Sequence, residues 1–454
     1  MRRNLGIALL MAWPATAFAA HNPLHKALGT PPALILTGSI RLRAEAIGGQ
    51  FRPLAAATDS MFSLRTTVFA DYGTGPVHVG AELWDARAYG QARASPAGTG
   101  EINALELVQT YVAVDLDNFL GGGGATRLTA GRFTLDIGSR RLVSRQNFRN
   151  STNAFTGAKL EWAGTGGNRA TLLWAMPQRR LPNDPAGLRG NRVVFDHEGF
   201  DTQLFGASVT RNFALGGTLE LFGYGLVEGD SPGFQTSDRH LFTPGFRLFA
   251  APQQRRFDHD FEIVYQTGSA HASLAPGNAP RLPVRAWFAH AEIGHSFAGP
   301  LAPRIALQVD YASGDDADPV RLTRFDTLFG ARRADLGPTG LYGAVTRSNI
   351  LSPVLRLEMS PSLRFDGFIA WRPLWLASAT DSFGTSGVRD PSGRSGRFVG
   401  HQVEARLRYW LVPGRVRLDT GAALLSRGQF LARAAGGRNN GDTRYGYSDV
   451  MMVF

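Results

Sequence analysis

The stretch Leu36–Ala46 reads LTGSIRLRAEA, and its alternation decides how the rest of the chain is read. Thr37, Ser39, Arg41, Arg43 and Glu45 hold one set of alternate positions. Leu36, Ile40, Leu42, Ala44 and Ala46 fall between them. Successive side chains of a strand point to opposite faces, so this segment is a strand with one polar and one apolar face. Gln402–Leu411 (QVEARLRYWL) repeats the pattern, with Gln402, Glu404, Arg406 and Arg408 set against Val403, Ala405, Leu407, Tyr409 and Leu411. Phe62–Tyr72, Arg304–Tyr311, Val354–Met359, Leu363–Arg372 and Arg417–Leu424 extend it along the chain. Such alternation suits a soluble antiparallel sandwich as well as a barrel in lipid. Strands recurring without intervening amphipathic helices favour the barrel. So do aromatics near strand ends, Tyr72, Trp84, Tyr89, Trp162, Trp174, Trp371, Trp375 and Trp410, which suit interfacial girdles. The expected fold is all-β, a transmembrane antiparallel barrel of about 18 strands, an even number being the rule when both ends lie on one side.

The ends agree with this reading. Arg2 and Arg3, an apolar run Leu5–Trp13, Pro14 and then Ala17-Phe18-Ala19 predict a cleavable secretory signal over residues 1–19, leaving 20–454 as the barrel. That apolar run is far shorter than the roughly twenty residues of a spanning helix. Tyr445, Tyr447, Val450, Met452 and Phe454 place apolar side chains toward a terminal Phe, a signal for barrel-assembly machinery. No Cys is present, which excludes disulfides, thiol chemistry and Cys-bound metal. The formal net charge is +11, and +9 without Arg2 and Arg3 (11 − 2). An exported chain without a basic tail is not expected to bind nucleic acid; an anionic partner, lipopolysaccharide or an acidic solute, is the expectation.

Long polar segments are expected as extracellular loops at Gln91–Glu101, Arg179–Asp201, Gly229–Arg239, Thr267–Leu282, Gly314–Gly343 and Ala379–Phe398. On the polar strand face, Arg41, Arg43, Arg65, Arg247, Arg304, Arg356, Arg364, Arg372, Arg406, Arg408 and Arg417 meet Glu45, Asp71, Asp260, Glu262, Glu292, Asp310, Glu358, Asp366, Glu404 and Asp419. The two sets nearly cancel, as a lumen of paired charges requires. Surplus arginine falls in loops, at Arg179, Arg180, Arg189, Arg192, Arg332, Arg333, Arg394 and Arg397, to bind lipopolysaccharide phosphates, steer an anion or simply be solvated. The candidate constriction is Arg132, Arg140, Arg141, Arg145 and Arg149, with Arg406 and Arg408 as further pore-lining candidates. Arg132 shares parity with Leu128 and Ala130, so an inward position needs a bulge near Gly131. The competing reading is arginine at a strand end reaching toward headgroups.

The segment Gly131-Arg132, Leu135, Gly138, Arg141-Leu142, Arg145, Asn147 to Asn150 and Phe155-x-Gly157 resembles the alginate-export family of outer-membrane barrels. So does Tyr311 to Asp316, followed by Phe325-Asp326-x-Leu328-Phe329, Gly337 to Gly340 and Ser348-Asn349. The resemblance implies a monomeric channel in the outer membrane of a Gram-negative bacterium. It would pass an acidic, alginate-like polysaccharide or a smaller anionic solute, with no cofactor and no catalysis. The alternatives are a general or small-solute porin and a closed barrel whose loops bind lipopolysaccharide or a surface ligand.

Three further features bear on catalysis and metal binding. Gly229-Asp230-Ser231-Pro232-Gly233 has the Gly-x-Ser-x-Gly spacing of hydrolases, but that motif needs a strand–turn–helix elbow and none is expected here. His259 sits between Asp258 and Asp260, yet strand neighbours face opposite ways; a barrel hydrolase is disfavoured. Asp315, Asp316 and Asp318 gather oxygen ligands of the kind calcium takes, without EF-hand spacing.

Overall fold

The computed structural model describes residues 28–121, 123–213, 217–274, 279–333, 335–434 and 441–454; the segment read as an export signal lies outside them. Eighteen strands follow one another: β1 Leu34–Gly48, β2 Thr58–Thr74, β3 Val77–Tyr89, β4 Asn103–Asp115, β5 Ala125–Phe133, β6 Phe155–Ala163, β7 Arg169–Pro177, β8 Thr202–Asn212, β9 Thr218–Glu228, β10 His240–Ala250, β11 Phe257–His271, β12 Arg281–Ser296, β13 Arg304–Ala312, β14 Ile350–Ser362, β15 Phe365–Trp375, β16 Phe398–Val412, β17 Val416–Arg427 and β18 Thr443–Val453. Each pairs antiparallel with its sequence neighbours, and β18 pairs with β1 from Ser39–Val453 to Gly48–Arg444. The sheet is a closed barrel without a free edge, the one all-strand way to satisfy every backbone group in lipid. The Phe454 carbonyl accepts from Gly38 N–H at 2.7 Å and its own N–H returns the bond, completing the closing seam.

Connections alternate in length. Segments 134–154, 178–201, 313–349 and 376–397 lie at one end, whereas turns such as 75–76, 363–364 and 413–415 lie at the other, with both described termini. Barrels in outer membranes carry their longer loops outside and their short turns in the periplasm.

Exposure is inverted relative to a soluble protein. Arg41 is 2% exposed and Arg65 5%, while Leu42 on the intervening face is 43% exposed. Phe62, Val68, Ile293, Leu307, Leu355 and Ile369 are likewise exposed. The apolar face of the alternation therefore points to lipid and the polar face to the lumen. An apolar core also exists inside the long-loop half. There Leu135, Leu142, Val143, Leu336, Leu341 and Tyr342, all from connecting segments, pack on Ile47, Phe155, Phe288 and Leu425 of the wall.

Several expectations are corrected. Thr267–Leu282 is not all loop, because β11 continues to His271 and β12 begins at Arg281. Leu363 and Arg364 form the exposed turn before β15, so Arg364 is not a lumen residue. Trp84 is no girdle residue. It shares the lumen face of Glu82, is 2% exposed, and lies under the guanidiniums of Arg65 and Arg145. Segment 313–349, expected outside, folds inward for the reasons given next.

Candidate functional site

Two connecting segments fill the lumen, and they coincide with the two blocks that carry the family resemblance. The first, 134–154, leaves β5 and crosses to the wall formed by β1, β2 and β3. Arg41 donates to the carbonyls of Asn147 (2.9 Å), Phe148 (3.0 Å) and Arg149 (3.0 Å). Arg43 donates to Phe148 O at 2.7 Å and Arg65 to Asn147 O at 3.0 Å. The wall arginines thus spend their donors on the segment's backbone, which as buried backbone needs partners. Asn150 fixes the crossing, its amide reaching Leu64 O, Arg87 O and Glu101 O, while its carbonyl accepts from Trp84 Nε1 at 2.9 Å.

The second segment, 313–349, enters from the opposite side and pairs with the first. Val143 and Phe329 form a parallel bridge, and Asn153 donates to Ser144 O and Phe329 O. Farther along, Leu341 N–H meets Glu45, Arg52 holds the Leu341 and Tyr342 carbonyls, and Arg333 pairs with Glu404. Arg141 ties the two segments to the wall. Its guanidinium meets Glu262 at 2.6 Å, Asp260 at 3.0 Å and Asp335 at 2.9 Å. Asp335 also engages Arg347, and the Asp335 carbonyl accepts from Arg372, which bonds Asp310 as well.

The sequence candidates accordingly separate. Arg141 and Arg145 are fully engaged, Arg145 holding Glu82 at 2.6 Å and 2.8 Å. Arg132 ends the β4–β5 ladder opposite Thr110; both ladders run in register through Gly131, so the expected bulge is absent. Its guanidinium braces Glu106 (2.7 Å), Leu107 O (2.9 Å) and Glu198 (2.8 Å and 2.9 Å) instead of standing free in a constriction. Arg406 and Arg408 share Asp366, at 3.0 Å and 2.8 Å. Arg417 nearby has no carboxylate partner among the described residues and lies over Trp410. Arg140 and Arg149 form no ion pair among the described residues. The calcium candidates do not converge. Asp315 accepts from Thr323 N–H, Asp318 pairs with Arg321, and no group of three metal-ligating side chains forms among the described residues. Ser231 accepts from Arg179 at 2.7 Å in a tight bridge with no helix after it.

At the long-loop mouth five connections converge on a positive cluster. Arg52, Arg149, Arg180 and Arg332 all lie within electrostatic reach of Glu101, and none of the four forms an ion pair among the described residues. Arg149 lies over Gly100, and among the described residues Arg180 donates to Thr152 O and Asn153 alone. Burial, then repulsion from Arg149, Arg52 and Arg347, pushes Arg332 down to about 9. Burial, then Arg149, lowers Arg180 to about 10. Burial raises Glu101, the arginines opposing the rise. Arginine keeps its proton at any physiological pH, so such a cluster is relieved by an anion. Arg180 and Arg332 were legible only as surplus loop arginines. Arg52 and Glu101 carry no signal in sequence, because only barrel topology brings residues so distant in the chain together.

The fold is shared with known outer-membrane barrels. The family model described as alginate export matches residues 33–444. No curated protein matches the chain. Among solved structures, Pseudomonas aeruginosa OpdK is 12% identical with a TM-score of 0.57, covering 92% of this chain and 98% of its own. OccD3 (OpdP) of the same organism is 12% identical with a TM-score of 0.55, covering 93% and 91%. OccK2 (OpdF), solved in complex with glucuronate, is 13% identical with a TM-score of 0.55, covering 92% and 98%. At such identities the likeness is one of fold, an outer-membrane porin-like barrel. Located in the Gram-negative outer membrane and built as a channel, the chain belongs to the alginate export family.

Proposed function

We propose that the barrel is a passive, monomeric channel for anionic saccharides, and that its preferred solute is a small uronate rather than a long polyuronate. The positive cluster of Arg52, Arg149, Arg180 and Arg332 at the mouth carries this reading. Four guanidiniums against one carboxylate attract a carboxylate solute, and contacts that exchange readily would let it leave, as conduction requires. Arg406, Arg408 and Arg417, with Asp366 between them, offer a second positive station toward the short-turn end. Segments 134–154 and 313–349 cross the lumen, which favours the smaller solute. The glucuronate bound by OccK2 is consistent with that size and charge, on a shared fold.

Proteoliposome uptake of glucuronate against glucose tests the proposal, since the two differ by a carboxylate. Faster glucuronate entry, reversed by Arg149→Glu with Arg332→Glu, is the expected result. Equal entry of both solutes, unchanged by the double variant, would reject it. The lumen-crossing segments also support a second reading, a barrel that stays shut and binds through its loops; failure of both solutes to enter would decide for that one.

A further inference from the structure

Two prolines interrupt one seam of the wall. In the β14–β15 ladder Leu351 pairs with Trp375 and Leu355 with Trp371, and no pair forms between. Pro353 and Pro373 face each other there, and neither has an N–H to give. Their chain neighbours Ser352 and Arg372 are buried on the lumen side and bonded to each other at 2.9 Å, so the proline rings lie on the lipid side. Low rings among taller side chains leave a groove of about 380 Å³, lined by Val309, Leu351, Pro353, Trp375 and Arg397. It sits at the long-loop end, since Leu351 stands at the start of β14, Trp375 ends β15 and Arg397 immediately precedes β16.

The rim of this groove is positive. Arg397 Nε donates to Leu376 O at 2.7 Å, and its two terminal nitrogens have no protein partner among the described residues. Arg389 and Arg394 are exposed in the same segment. The acidic residues there are already engaged, Asp381 by Arg324 and Asp390 by Ser392 and Ser395. An apolar trough on the membrane face, ending under a guanidinium at the outer rim, fits a hydrocarbon chain joined to a phosphorylated head. We propose that the groove is a binding site for lipopolysaccharide, one acyl chain lying along Val309, Leu351 and Pro353 and a phosphate held by Arg397. Guanidinium offers phosphate two parallel donors, which an ammonium does not. A free phosphate would leave the trough unused, and an uncharged lipid would leave Arg397 unused.

Native mass spectrometry of the full chain folded in detergent, titrated with rough lipopolysaccharide and separately with phosphatidylglycerol, tests the site. One lipopolysaccharide should be retained in preference to phosphatidylglycerol. Arg397→Glu, which reverses the rim charge, and Val309→Trp, which fills the trough, should each weaken retention about tenfold, the scale of one charge-assisted contact. Arg256→Glu, at the exposed short-turn end, should leave it unchanged. These positions are surface ones, and heat-modifiable gel migration verifies that each variant is folded. Retention unchanged by Arg397→Glu or by Val309→Trp, equal loss with Arg256→Glu, or equal retention of phosphatidylglycerol would overturn the proposal.

Discussion

Arg141→Met removes a side chain that joins both lumen segments to the β11 wall. Arg141 is 4% exposed and meets three carboxylates, of which Glu262 is fully buried. Removing one partner of a buried ion pair costs about 3–5 kcal/mol, because the charge left behind loses its compensation. The lower end applies here: Asp335 keeps Arg347, and Asp260 keeps Arg247 at 2.7 Å. A loss of about 3 kcal/mol shifts the docked-to-released ratio of segment 134–154 roughly a hundredfold. The barrel ladder does not include Arg141, so folding and heat-modifiable migration should be unaffected. In single-channel recordings, large-conductance events that are rare in the unmodified protein should become a dominant level. Arg141→Lys, which supplies one compact charge where the guanidinium supplied a fork, should fall between. If folded Arg141→Met barrels show the same conductance and the same event frequency, the segments are not held by this latch.

Three further outcomes follow from the same contacts. Burial, followed by the Glu106 carboxylate, raises Asp196 in segment 178–201 to about 7. The docked segment then holds a proton that a released one, with an aspartate near its usual value of about 4, gives up; docking is firmest below about pH 4 and weakens as pH rises through about 7. Hydrogen exchange at the Leu181 amide, which donates to Asp196 at 3.0 Å, should lose protection progressively from about pH 4 to 7, and Asp196→Asn should abolish that slope. Gly131→Ala would put a Cβ 2.5 Å from Thr110 O at a φ of +119°, so urea unfolding should show a loss of at least about 1–3 kcal/mol, with Gly98→Ala, in open space, as the neutral control. Asn150→Ala removes the amide that donates to three carbonyls and should release segment 134–154 by about 2–4 kcal/mol, read as protease cleavage within it while the strands stay protected.

The wall was legible in the sequence because period-two alternation is local. Leu36–Ala46 and Gln402–Leu411 each state their lumen and lipid faces without reference to any neighbour. Parity also contained the correct place of Trp84, on the face of Glu82, although its residue type suggested a girdle. Segments 134–154 and 313–349 were recognisable as motifs but not as lumen-filling. Their docking depends on Arg41, Arg43, Arg65, Glu262 and Glu404, which come from strands far away in the chain. Charges per face nearly balance, but that balance does not reveal that Arg141 consumes three carboxylates while Arg149 and Arg332 form no ion pair among the described residues. Arg132 illustrates the limit of residue type, since its charge suggested a constriction and its partners make it a brace at the end of β5.

The central claim is that the uncompensated arginines at the mouth make the pore select for anions. The most direct test is the reversal potential of the purified, folded barrel in a planar bilayer under a salt gradient. An anion-selective sign, moved toward zero or inverted by Arg149→Glu with Arg332→Glu, is the predicted result. A cation-selective sign, or a potential near zero that the double variant does not change, would contradict it.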